Sequence, residues 1–105
     1  MTDTLHLEII TAGGSVVDTQ AAQVTLPLAD GEVGILPGHA PLLGALMCGV
    51  VRYTAAGKEH YCAVSPGTVN VAAGNVTVLA RTAERAPDID LARAEAALHR
   101  AESDL

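Results

Sequence analysis

A chain of 105 residues, half of them hydrophobic but with no Phe or Trp and only two tyrosines, fits one domain plus a short appendage, its core built from Val, Leu, Ile and Ala. Its formal charge of −6 rests on only six Lys and Arg. That excludes a nucleic-acid surface, because neutralising phosphates needs clustered cations.

The amino end, MTDTLHLEII, has neither a basic patch nor an uninterrupted apolar run. No secretory signal or transit peptide is expected, and a bacterial cytoplasm is the compartment implied. Leu5, Leu7 and Ile9 alternate with His6 and Glu8, the period of a half-buried strand. Similar β-branched or aliphatic runs follow at Val24 to Leu28, Val50 to Ala55, Glu59 to Val64, Thr68 to Ala72 and Val76 to Ala80. Gly13-Gly14, Asp30-Gly31, Ala56-Gly57, Pro66-Gly67 and Gly74-Asn75 separate them as turns. Regular short strands with such turns predict a mainly β domain, a sandwich or barrel. The clearest hairpin joins Val69/Val71 to Val76/Val78 through Ala72-Ala73-Gly74-Asn75, with Gly74 and Asn75 expected to take positive φ. Val33 to Val51 is long enough and uncharged enough to suggest a membrane span, but Gly34, Pro37, Gly38, Pro41, Gly44 and Gly49 would break a helix there.

Composition changes sharply near Pro87, which divides the chain into a β domain over 1–86 and a helix over 87–105. Leu91, Ala94, Leu98, Ala101 and Leu105 fall on one helical stripe, with Asp88 placed to cap it and Asp90 in its first turn. So narrow a seam suits packing on the β body or on another subunit, since an isolated helix of this length is marginal in water.

Motifs for chemistry are absent: no GxxxxGK[ST] loop, no GxSxG elbow and no HExxH pair. Gly31, Gly34 and Gly38 lack the spacing of a nucleotide cradle, and Pro37 and Pro41 oppose the helix such a cradle needs. His6, His39, His60 and His99 lie on separate elements, and no metal site is expected from them. Cys48 and Cys62 lack CxxC spacing and are expected to be free thiols.

Four stretches, in order, carry a family likeness: LHLEIITAGGSVVD, DGEVGILPGHAPLL, SPGTVNVAAGNVTVLARTAER and DIDLARAEAAL. Together they cover essentially the whole chain. It resembles the ε subunit family of bacterial F-type ATP synthases, in a C-terminally short version. The resemblance implies a flattened sandwich of about ten strands followed by a C-terminal α-helix, the first of a helical hairpin. It also implies a non-catalytic rotor subunit that couples the γ subunit to the c-ring and regulates ATP synthesis and hydrolysis.

By motif position, Glu32, Gly34, Pro37, Gly38, His39 and Pro41 become the candidate residues for γ and the c-ring. Glu32 and His39 are expected at one end of the sandwich, and Pro37, Gly38 and Pro41 would fix a rigid loop. Within IDLARA, Ile89, Asp90, Arg93 and Ala94 match a pattern with which some bacterial ε subunits bind ATP, and Glu84 joins that candidate set. ATP is then a regulatory ligand rather than a cofactor, and Asp90 pairing with Arg93 along the helix is the simpler alternative. The second helix usual in the family, with the basic residues it contributes to nucleotide binding, does not follow within these 105 residues, which counts against strong self-inhibition and against ATP sensing; a regulatory module that senses ATP through Glu84, Asp90 and Arg93 is the alternative reading of function. Contact with the α and β subunits through the C-terminal helix is a further implication. The implied location is peripheral, on the cytoplasmic face of the bacterial inner membrane, held there only through the complex.

Overall fold

The computed structural model describes residues 4–86. The helix expected over 87–105 lies outside the described residues. Ten strands form within them: β1 Leu5–Thr11, β2 Gly14–Ala21, β3 Gln23–Leu28, β4 Gly31–Ile35, β5 Leu42–Leu46, β6 Gly49–Ala55, β7 Lys58–Val64, β8 Gly67–Ala72, β9 Asn75–Ala80 and β10 Ala83–Arg85. The mainly β expectation is met.

The strands form one hydrogen-bonded path, β10-β7-β6-β3-β5-β8-β9-β1-β2, with β4 paired to the other edge of β3. The path folds over on itself, so that β2 approaches β6 and β10 across the interior. Strand β3 belongs to both layers. Its edge opposite β4 pairs with β6 from Gln23 to Thr25 and meets β5 at Leu28. Pro27, which has no N–H to donate, sits where that change of neighbour occurs. Its carbonyl still accepts from the Met47 amide at 2.8 Å, fastening the segment between β5 and β6.

Alternation explains the core. Leu5, Leu7 and Ile9 from β1 meet Val24 and Leu26 from β3, Val51 and Tyr53 from β6, Val69 and Val71 from β8, and Val76 and Val78 from β9. Each such aliphatic side chain, fully buried, stabilises the fold by about 1.5–3 kcal/mol relative to exposure. Between Ile9 and Ile10 the β1–β2 register slips, from Ile9 opposite Val17 to Ile10 opposite Ser15, leaving Val16 as a bulge.

The β8–β9 hairpin has the expected register, Val69 opposite Val78 and Val71 opposite Val76. Its turn is shifted by one residue from the expectation. Positive φ falls on Ala73 (51°) and Gly74 (80°), while Asn75 is already the first residue of β9. Consecutive positive φ values match the right-handed twist of the two strands. The β6–β7 hairpin uses the same device at Ala56 (53°) and Gly57 (75°).

Gly67 also differs from its expected turn role. It opens β8, and a Cβ there would lie 1.8 Å from the Leu79 carbonyl oxygen, so the close approach of two backbones requires glycine. Beside it, Ser65 is fully buried and fastens the segment after β9: its amide and hydroxyl both donate to the Thr82 carbonyl, and its Oγ accepts from the Thr82 amide at 2.7 Å.

Candidate partner-binding surfaces

The six candidate residues around Pro37 do not form a single loop. Glu32 and Gly34 lie on β4, whereas Pro37 to Pro41 form the connection from β4 to β5. Four residue steps along extended chain carry Leu36 about 13 Å from Glu32 at the rise of a strand. The Pro37-Gly38 turn therefore begins beyond the far end of β4, and the chain then returns along β5, whose Ala45 carbonyl accepts from the Ala29 amide at 3.2 Å in the turn before Glu32.

At the first end Glu32 is not a loop residue awaiting a base from elsewhere. Its Oε1 accepts a hydrogen bond from Arg52 Nη2 at 2.8 Å, a pair that joins β4 to β6 across β3 on the outward face. The two side chains keep 57% and 39% of their exposure. Thr25 stands between them in the ladder, opposite Gly34 on one side and Arg52 on the other. Gly34 contributes open space, since a Cβ there would touch nothing within 4 Å. Beside the pair runs a shallow polar groove of about 220 Å³, lined by Gln23, Thr25, Arg52, Tyr53, Thr54 and Glu59. The Tyr61 hydroxyl donates to Glu59 Oε1 at 2.7 Å, and that bond to a carboxylate raises the phenol's pKa.

At the second end Leu36 to His39 make a β-turn, closed by the His39 amide donating to the Leu36 carbonyl at 3.1 Å. Pro37 supplies the fixed φ of the first corner, and Gly38, with φ of 86°, supplies the second, the arrangement of a type II turn. The expected rigidity of this segment has that cause. His39 Nδ1 lies 2.6 Å from the Ala40 carbonyl, which can only accept, so Nδ1 carries a proton and Nε2 is the acceptor of the neutral ring.

Exposed apolar side chains occur in this turn and along the sheet that follows it. Leu36 is 56% exposed in the turn, and Leu43, just beyond it on β5, is 80% exposed. Ala45 is exposed on the same side of β5, and Thr68 of β8 links it through the ladder to half-exposed Leu79 on β9. Leu43 and Leu79 escaped the sequence reading because both sit in apolar runs where alternation alone does not tell inward from outward.

Of the candidate nucleotide set, only Glu84 lies among the described residues, exposed on β10 opposite Ala63. Ile89, Asp90, Arg93 and Ala94 lie outside them. Cys48 and Cys62 form no disulfide, and burial pushes the Cys62 thiol up to about 12. No group of His, Cys, Asp and Glu suited to a metal occurs among the described residues.

Residues 4–86 match the family model of the ATP synthase Delta/Epsilon chain β-sandwich domain. The chain belongs to this family. Among curated relatives of the ATP synthase epsilon chain, that of Lawsonia intracellularis is 45% identical over 100% of this chain and 79% of its own length. That of Desulfitobacterium hafniense strain Y51 is 46% identical over 100% of this chain and 80% of the relative. The fold recurs in two solved structures. One is a cryo-EM structure of the Euglena gracilis mitochondrial ATP synthase comprising OSCP, F1 and c-ring, with a TM-score of 0.76 and 23% identity over 98% of this chain and 66% of that one. The other is the central stalk and c-ring of the Tetrahymena thermophila mitochondrial ATP synthase, with a TM-score of 0.63 and 15% identity over 93% and 89% of the two chains. Among the described residues of this epsilon-family chain, no helix is long and apolar enough to cross a membrane.

Proposed function

We propose that the chain is the non-catalytic rotor subunit that joins the γ subunit to the c-ring in a bacterial F-type ATP synthase, peripheral at the cytoplasmic face of the plasma membrane. The observation that carries this reading is identity of about 45% to epsilon chains along the full length of the chain. Such a part needs stiffness and two adhesive surfaces rather than a nucleophile. A close-packed aliphatic core suits the first need, because interiors at crystal-like density transmit strain instead of absorbing it.

The Glu32–Arg52 face and the Pro37-Gly38 turn supply the second. In this reading the Glu32 end, charged and polar, meets the loops of the c-ring, with Gly34 leaving room beside it. The Pro37-Gly38 turn, with His39, Pro41 and exposed Leu36 and Leu43 around it, meets γ. An apolar centre with a preformed turn loses little entropy on docking, which favours a lasting attachment to the shaft. A pull-down of the purified chain with isolated γ subunit at micromolar concentration tests the assignment. Retention of γ is expected, and a chain that stays folded yet fails to retain γ overturns the reading.

A further inference from the structure

We propose that Arg52 is a positioning residue for the contact made by Glu32, an inference that rests on the reading of Glu32 as a ring-facing group. A glutamate on an exposed strand has three rotatable bonds, and docking it in one geometry costs side-chain entropy. Arg52 removes much of that cost before the partner arrives. Its Nη2 holds Glu32 Oε1 at 2.8 Å, and the Glu32 side chain keeps 57% of its exposure, so Oε2 is left for a partner's donor.

The sheet register sets where Arg52 stands. Arg52 lies in the middle of a four-stranded row, with Gly34 and Thr25 on one side and Tyr61 on the other. Tyr61 is buried and bonded to Glu59, and its neighbour Val50 packs in the same small apolar cluster as Ala86. The row thus runs from Tyr61 through Arg52 and Thr25 to Gly34, and the Arg52 side chain crosses diagonally from it to Glu32, two residues along β4. Planar guanidinium suits this task better than an ammonium, because its donors are set in one plane and orient the carboxylate as well as attract it.

The test is ATP-driven proton pumping by reconstituted holoenzyme carrying this chain, measured for Glu32→Gln, Arg52→Met, the double variant and Arg52→Lys. With Glu32 present, Arg52→Met is expected to lower pumping per ATP hydrolysed by roughly two- to fivefold, the scale of an exposed ion pair. In the Glu32→Gln background the same change is expected to do nothing further, and Arg52→Lys is expected to recover part of the loss. The charge-swapped chain, Glu32→Arg with Arg52→Glu, separates positioning from stability: it should restore the thermal midpoint and leave pumping low. Equal losses from Arg52→Met in both backgrounds, or full pumping in the charge-swapped chain, overturn the proposal. If Glu32→Gln lowers pumping and Arg52→Met does not, the positioning role fails while the Glu32 contact stands. If Glu32→Gln itself has no effect, the contact fails and Arg52 has nothing to position.

Discussion

The outward faces of the β3–β6 and the β5–β8–β9 stretches of the sheet differ as strongly as their inward faces agree. Inward, β3 and β6 on one side and β8 and β9 on the other supply the same fully buried valines and leucines. Outward, the first side carries Glu32, Arg52, Gln23, Thr25, Thr54 and Glu59, and the second carries Leu43, Ala45 and Leu79. Burial on the inside therefore says nothing about role. The contrast on the outside separates a polar contact, whose strength lies in charge pairing, from an apolar one, whose strength lies in buried area.

The largest expected effect bears on the apolar side. Gly67→Ala forces a Cβ onto the Leu79 carbonyl, so β8 and β9 must shift, and a loss of about 3 kcal/mol is expected in denaturant unfolding. If the variant instead unfolds like the parent, the close backbone approach is not a constraint. Leu43→Asp changes an 80% exposed residue, so the isolated chain should keep its stability within about 0.5 kcal/mol. Its capture of γ should fall by about thirtyfold, the cost of a central apolar anchor. Glu32→Lys places a cation against Arg52 and is expected to lower stability by at most about 1 kcal/mol while weakening ATP-driven proton pumping. Unchanged coupling would remove the polar side from the account.

The smallest effect is a pH dependence at the far edge of the sheet. His6 Nε2 lies 2.5 Å from Asp18 Oδ1 across β1 and β2, and that bond, helped by Asn75, raises the imidazole pKa above its ordinary 6.5. A raised folded-state pKa gives stability that is fully present below 6.5 and lost as pH rises through the folded value. The thermal midpoint should fall slightly over that window, and Asp18→Asn should abolish the slope. A slope that persists in Asp18→Asn assigns it to another group.

Much of the strand pattern was legible because aliphatic residues alternate where one face is buried, as in β1, β8 and β9. β2 and β5 were harder. GSVVDTQA is polar at both ends and bulged at Val16, while LLGAL has no alternation because Leu43 faces outward among apolar neighbours. Three-residue β10 is too short to carry a period. The candidate residues themselves came from motif likeness, and their arrangement did not. Glu32 and Gly34 belong to a strand and Pro37 to Pro41 to the turn after it, a division that the motif alone does not reveal. Arg52 went unnoticed because its meeting with Glu32 depends on the β3–β6 register, which no local pattern encodes.

One experiment bears directly on the two-surface account: separate binding assays of the parent chain, Leu43→Asp and Glu32→Lys against isolated γ and against c-ring in lipid vesicles. Leu43→Asp should lose γ and keep the ring, and Glu32→Lys should do the reverse. A single variant that abolishes both interactions, or two variants that abolish neither, contradicts the division of labour between the polar and the apolar surface.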